Sequence, residues 1–327
     1  MFGRPLFRLV PDGTRIRFMR GRYIGLLTSA VLSTLSLILF FYPGPRLGID
    51  FRGGVTMELR TPGPADFGAL RTAITSAHAS AAGLQRFGSP DNVLVRLDPQ
   101  PNAAATQVEL GRVQAAIEKA APGTRIVRTD AVGASVSAEL FRNGLLALGI
   151  SLLMILVYIW FRFEWQFAVG AVVTLILDVT KAVGFLVITR LEFDLVMVAA
   201  ILTIIGYSTN DKVVVYDRMR ENLRKYKAMP LRELIDLSIN ETLNRTLGTS
   251  MTLFLAALPL ALFGGSTLSG FALMMLFGIV VGTSSSIFIA APILLLLGEN
   301  RLRRDTAAVA RQGGAKGSGA KGVAKGA

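Results

Sequence analysis

The chain has 327 residues, 52% of them hydrophobic, and a mean hydropathy of +0.51. It carries 35 Lys and Arg against 22 Asp and Glu, no cysteine, and one histidine, His78. This composition excludes disulfide frameworks, thiolate metal sites and histidine-based triads, while apolar runs of about 20 residues exceed the needs of a soluble core and mark a polytopic membrane protein.

The basic residues lie beside the apolar runs, where they act as a topology signal rather than a nucleic-acid surface. A leader over 1–21 contains Arg4, Arg8, Arg15, Arg17 and Arg20, which predicts a cytoplasmic N-terminus. The first span, 22–42, is too long for a signal-peptide core and lacks a small-residue cleavage site, so an uncleaved anchor is expected.

Residues 43–142 mix charge signs nearly evenly, as a folded extracytoplasmic domain should. Val55, Met57 and Leu59 alternate with Thr56, Glu58 and Arg60 as a half-buried strand, and helical spacing follows over 65–79. Strands over 84–87 and 93–97 flank the turn at 88–92, a hairpin signature. A second helix over 106–120 stops at Pro122-Gly123, and 124–127 supplies a last strand. The order βαββαβ predicts a small ferredoxin-like α+β domain. His78 falls near the end of the first helix with no second candidate ligand, as an ordinary surface or capping residue would.

Five further spans are expected at 143–161, 166–189, 194–216, 244–263 and 270–297, which makes six and an α-helical polytopic fold. The intervening segment 217–243 is predicted as a cytoplasmic loop, with Arg218, Arg220, Arg224, Lys225, Lys227 and Arg232 satisfying the positive-inside rule. The tail, 299–327, combines Arg301, Arg303, Arg304 and Arg311 with a Gly/Ala/Lys stretch, which predicts a disordered cytoplasmic end.

Ionisable residues inside such spans cost free energy and are candidate functional groups. Asp178 lies near the middle of the third span, with Lys181 three positions later on the same helical face, so the two can neutralise each other. The fourth span carries Asn210, Asp211 and Lys212. Adjacent side chains point about 100° apart, so Asp211 and Lys212 need partners on other helices. Arg245, at the start of the antiparallel fifth span, is a candidate for Asp211. Such a pair has two readings: a static contact that fixes helix register, or a proton relay in which the carboxylate alternates between a protonated and an arginine-paired state. The run Gly282-Thr283-Ser284-Ser285-Ser286 in the sixth span permits close helix approach or lines a polar path. Gly53-Gly54 and Gly264-Gly265 fit turn geometry just outside the membrane.

Five segments together resemble the SecF family: GIDFRGG at 48–54, LTIIGYSTNDKVVVYDRMREN at 202–222, NRTLGTSMT at 244–252, LFGG at 262–265 and GTSSSIFIAAP at 282–292. The resemblance covers the whole membrane part in family order. It implies half of a resistance-nodulation-division type bundle that works with SecD, its partner for the other six helices. It further implies a subunit that uses the proton-motive force to assist preprotein export through SecYEG after pushing by SecA, with YajC as an accessory, protons as coupling ion and no cofactor. By position, Asp211 and Arg245 match the family's functional intramembrane pair, with a further carboxylate expected from SecD. Gly48, Asp50, Phe51, Gly53 and Gly54 form its motif after the first span. The implied cycle has protonation of Asp211 free Arg245 and shift the packing between the two bundles.

Three positions depart from the family pattern: Leu177, where a His usually precedes the aspartate matching Asp178; Lys212, where Thr or Ser is common; and Lys181, where an uncharged residue is expected. The departures suggest that Lys181 offsets Asp178 or reaches across to the fourth-span cluster. The rival reading is a small-molecule or lipid exporter of the same superfamily. Against it, the chain has half the usual spans and one small domain. An intramembrane protease would need HExxH or a Ser/His pair, and neither is present.

Overall fold

The computed structural model describes residues 11, 14–77, 81–86 and 89–297. Arg4, Arg8, His78, Gly88 and the tail 299–327 lie outside the described residues.

Six helices are long and apolar enough to cross a bilayer, and they form the bundle of a multi-pass membrane protein. Helix α1 (Arg22–Phe41) follows a 3-10 turn, Phe18–Gly21. Its buried residues are Ser29, Ser33 and Ser36, whereas Leu27, Val31, Leu35 and Ile38 are exposed. This inversion suits lipid as solvent: small residues face the neighbouring helix and large apolar ones face the hydrocarbon.

A two-residue strand β1 (Arg46–Leu47) and a single-turn helix α2 (Ile49–Arg52) lead into the small domain. That domain runs β2 (Gly54–Arg60), α3 (Phe67–Ser76), β3 (Ala81–Arg86), β4 (Asn92–Leu97), α4 (Ala103–Ala120) and β5 (Arg125–Val132). Its antiparallel sheet has the order β3-β4-β2-β5, so the ferredoxin-like arrangement holds. Met57, Leu59 and Val95 pack against Ile74 and Val113 as a continuous core. Asp66 caps α3 by accepting from the Gly68 and Ala69 amides, and Asn102 caps α4 through the Ala105 amide. Strand β5 runs five residues past the expected 127, because β2 offers it partners from Arg60 to Gly54. Its side chains are largely exposed, so alternation over those extra residues was weak.

From β5 the chain passes through Gly133 directly into α5 (Ala134–Arg162). Then come α6 (Trp165–Thr189), a short strand β6 (Glu192–Phe193), α7 (Leu195–Lys225), α8 (Leu231–Phe263) and α9 (Gly265–Ser285). A π-helical turn, Ser286–Ala290, joins α9 to the short α10 (Ala291–Leu296). The expected loop at 217–243 is not a loop: α7 continues to Lys225 and α8 begins at Leu231. Apolar positions Met219, Leu223, Leu231, Leu234 and Ile235 zip this extension together. Arg218 bonds Glu241 at 2.8 Å, and Asn222 bonds Ser238 at 3.0 Å. Charge density suggested a loop, while the apolar stripe beneath it made a helical hairpin.

The joint between sheet and bundle is built from the 48–54 motif. Strand β1 pairs in parallel with β6, and the Gly48 amide donates to the Phe193 carbonyl at 2.9 Å. Phe51 is buried against the rings of Phe141 and Phe193. Asp50 accepts from the Leu195 amide at 3.0 Å, and Asp194 accepts from the Met197 amide at 2.8 Å. Two carboxylates thus cap the N-terminus of α7, where the helix dipole favours negative charge. Gly53 and Gly54 have φ of 78° and 117°, and a Cβ on Gly54 would stand 2.4 Å from the Leu97 carbonyl oxygen.

Gly54→Ala is therefore expected to lower stability by about 1–3 kcal/mol, from backbone strain and the clash. Thermal melts of the purified protein in detergent measure it, with Gly63→Ala, which meets open space, as the neutral comparison. Burial, with the nearby charge of Asp50, raises the Asp194 carboxyl above its ordinary range. The folded state then holds this proton more tightly than the unfolded chain, so the contribution of Asp194 to stability declines as pH rises through the raised value. Asp194→Asn keeps a capping oxygen and removes the titration. The melting temperature of Asp194→Asn should fall less than the parent's between about pH 4 and about pH 7.

Candidate functional site

The buried ionisable residues converge where α6, α7 and α9 meet. Glycines allow the approach: a Cβ on Gly278 would stand 2.3 Å from Ile204, and one on Gly282 would stand 3.2 Å from Ser208. One face of α7 then presents Ser208 and Lys212, four residues apart, to Asp178 on α6.

Asp178 is the hub. Its Oδ2 accepts from Lys212 Nζ at 2.8 Å, from Ser208 Oγ at 2.7 Å and from Ser285 Oγ at 2.7 Å. Its Oδ1 takes Lys181 Nζ at 3.4 Å. Lys212 also donates to Ser208, at the hydroxyl and, at 3.3 Å, at the carbonyl. Side-chain exposures of 1% for Asp178, 1% for Lys212 and 6% for Lys181 put this ion cluster in the dry interior. Two ammonium groups on one carboxylate satisfy it fully, and the hydroxyls fill its remaining lone-pair sites. The expected Asp178–Lys181 contact is present, but the shorter one comes from Lys212, which spacing alone left without a named partner.

Asp211 faces the other way round α7, as adjacency requires. It is buried, and its Oδ2 accepts from Ser286 Oγ at 2.5 Å. Thr246 of α8 lies against the same carboxylate. Among the described residues no ion pair joins Asp211 to Arg245; the arginine is exposed on the outer side of α8. Asn210 is likewise exposed, on α7. The pairing expected between Asp211 and Arg245 is thus absent, because rotation of α8 turns Thr246 inward and its neighbour Arg245 outward.

The small-residue run in the sixth span allows close helix approach and supplies hydroxyl donors. Gly282 gives close approach, Ser285 and Ser286 carry hydroxyls to the two acids, and Thr283 carries one to Ser250 and Tyr207. Successive serines bond acids on two different helices: Ser285 to Asp178 and Ser286 to Asp211. The π turn begins at Ser286, and such turns often sit at functional positions. Beside them, Ser250 Oγ of α8 lies 2.5 Å from Tyr207 Oη and 2.7 Å from Thr283 Oγ1. Sequence reasoning missed Ser208, Tyr207 and Ser250, since a hydroxyl in a membrane helix also satisfies itself on its own backbone; Ser250, for one, bonds the Thr246 carbonyl at 2.7 Å.

Among the described residues no group of three or more acidic or histidine side chains could hold a metal ion. The arrangement sets two carboxylates against hydroxyl donors and beside two amines, all of them groups that take up or release protons.

Comparison with known proteins agrees with this architecture. The family described as protein export membrane protein SecD/SecF, C-terminal, matches residues 112–300, and the SecD/SecF GG motif matches residues 38–61. The protein translocase subunit SecF of Cereibacter sphaeroides is 40% identical over 301 residues, covering 90% of this chain and 93% of the relative. The protein translocase subunit SecDF of Brucella abortus is 44% identical over 293 residues, which is 89% of this chain and 38% of that one. The crystal structure of SecDF from Thermus thermophilus superposes with a TM-score of 0.79 at 33% identity, covering 87% of this chain and 39% of that chain. The chain thus spans about two fifths of the fused SecDF proteins and nearly all of the separate SecF proteins. With its motif glycines at the joint, its six spans and its ferredoxin-like domain, this chain belongs to the SecD/SecF family of protein-export membrane proteins, on the SecF side.

Proposed function

We propose that the chain works with a SecD-type partner in the bacterial inner membrane, both termini in the cytoplasm, and uses the proton-motive force to assist preprotein export through a SecYEG-type channel after SecA-driven translocation; YajC is the expected accessory. The observation that carries this reading is the buried set of two carboxylates and two amines, Asp178, Asp211, Lys181 and Lys212, in a bundle that could otherwise be wholly apolar. Isolated charges in a bilayer interior are costly and persist where they act. The similarity to proteins named translocase subunits favours this reading over a small-molecule or lipid exporter.

The two acids have different work. Protonating Asp178 would break its bonds to Lys212 and Lys181, whereas Asp211 contacts hydroxyls, so its protonation breaks no ion pair. Asp211 is the entry point for the coupling proton. Its charge acts on Lys212 next to it, which in turn holds α7 against Asp178 on α6. A proton on Asp211 therefore changes the balance of forces on Lys212 and the packing of α7, and so biases two arrangements of the helices. Each proton crossing about 100 mV supplies about 2.3 kcal/mol from the potential alone, enough to shift such an equilibrium several-fold.

A polar strip supports the need for a partner bundle. Thr203 and Asn210 on α7, with Asn244, Arg245, Thr249 and Thr252 on α8, are exposed within or beside spans. The three threonines bond carbonyls of their own helices, but lipid would leave the Asn210 and Asn244 amides and the Arg245 charge unsatisfied, and a second bundle with a carboxylate opposite Arg245 would not.

Asp211→Asn keeps size and hydrogen bonding, so folding and partner assembly should persist while uncoupler-sensitive export disappears. Preprotein uptake by inverted membrane vesicles, with and without an uncoupler, reads this out; unchanged uncoupler-sensitive uptake would remove Asp211 from the mechanism. Asp178→Leu leaves Lys212 buried without its acid and should cost about 3–5 kcal/mol. Asp178→Leu combined with Lys181→Leu and Lys212→Leu, which leaves no buried cation of this cluster unpaired, should recover most of that loss. Melts of both variants in detergent give the comparison.

A further inference from the structure

Outside the bundle, a cavity of about 1020 Å³ opens between the small domain and the ends of the spans. Six arginines line it: Arg46, Arg52, Arg71, Arg86, Arg96 and Arg190. No acidic side chain lines it among the described residues. Arg96 is paired with Glu192, and Arg86 lies over the Phe67 ring. The other four have no ion-pair partner among the described residues. Burial and the charges of Arg46 and Arg52 press on Arg96 and lower its guanidinium below the ordinary range. So many like charges around one concavity repel unless an anion joins them.

The residues come from separated elements that folding brings together. Arg46 and Arg52 belong to the joint, Arg71 to α3, Arg86 and Arg96 to β3 and β4, and Arg190 to the end of α6. Arg190 sits at φ 57°, a left-handed position that glycine or asparagine fills more easily. Its presence there places another guanidinium at the cavity mouth despite the conformational cost.

The cavity's height identifies its occupant. It lies just past the ends of α1 at Phe41 and α6 at Thr189, at the level of the membrane surface. Phe40, Phe41 and Tyr42, which end α1 just before the lining residue Pro45, are exposed, as interfacial aromatics are, and Leu47 gives one wall an apolar surface. We propose that this arginine-lined cavity binds the phosphate headgroup of an anionic membrane phospholipid from the leaflet on the small-domain side. Guanidinium forks match phosphate oxygens in pairs, and the acyl chains pass down the exposed face of α1. The bound lipid neutralises the arginines and ties the small domain to the membrane surface.

Native mass spectrometry of the full chain, isolated with its partner subunit in detergent, tests this by titration with phosphatidylglycerol and with phosphatidylcholine. Phosphatidylglycerol should bind in preference, and Arg46→Gln combined with Arg190→Gln should weaken it about tenfold or more. Arg71→Gln alone, at an exposed position on α3, should weaken it several-fold and decides the matter if the double variant misfolds. Arg224→Gln with Lys225→Gln, at the opposite end of the bundle, should leave binding unchanged. Equal binding of the two lipids, or no loss in the arginine variants, would overturn the proposal. Glycerol phosphate binding as tightly as the lipid would make this a site for soluble anions and overturn the membrane source. Displacement of the lipid by low concentrations of polyglutamate would assign the cavity to acidic polypeptide instead.

Discussion

One carboxylate held by two amines in a dry interior governs how the helices can be arranged. Asp178 draws Lys212 and Ser208 from α7 and Ser285 from α9, so three membrane helices share one anion. In a low dielectric such a centre admits few alternatives, because moving any one partner leaves a charge or a lone pair unmet. The glycines at 278 and 282 follow from this demand. Larger residues there would push α9 away from α7, and the serine donors would no longer reach.

Helix α7 ties this centre to the world outside the membrane. At one end it is capped by Asp50 and Asp194 and held to the 48–54 motif, and farther along it carries Ser208, Asp211 and Lys212. Thirty-one helical residues form a rod of about 46 Å. The same helix thus connects the ion cluster to the joint, where β1 pairs with β6 and Phe51 packs against Phe193. The motif glycines give that joint its close turn, and the arginine-lined cavity lies beside it.

Local patterns carried much of the fold. All six spans end within a few residues of the expected limits on at least one side, since about 20 apolar residues in a row announce themselves. The small domain's strand and helix order was readable from alternation and helical spacing, because Met57, Leu59, Val93 and Val95 each face one core. The helical hairpin over 217–243 was hidden by its charges, which ride on an apolar stripe that only packing against α8 reveals. The candidate site was legible as a set of residue types: Asp178, Lys181, Asp211 and Lys212 stand out wherever a span is expected to be apolar. Their wiring was not.

Sequence alone determined the membrane class, the number of spans, the βαββαβ domain and the identity of the intramembrane charges, because each is written in neighbouring residues through length, period and residue type. Tertiary structure decided which charge meets which. Lys212 finds Asp178 across 34 positions and Ser285 finds it across 107, while Arg245 turns outward and Thr246 inward. Those choices depend on how each helix is rotated about its own axis, and that rotation is set by close contacts between distant segments.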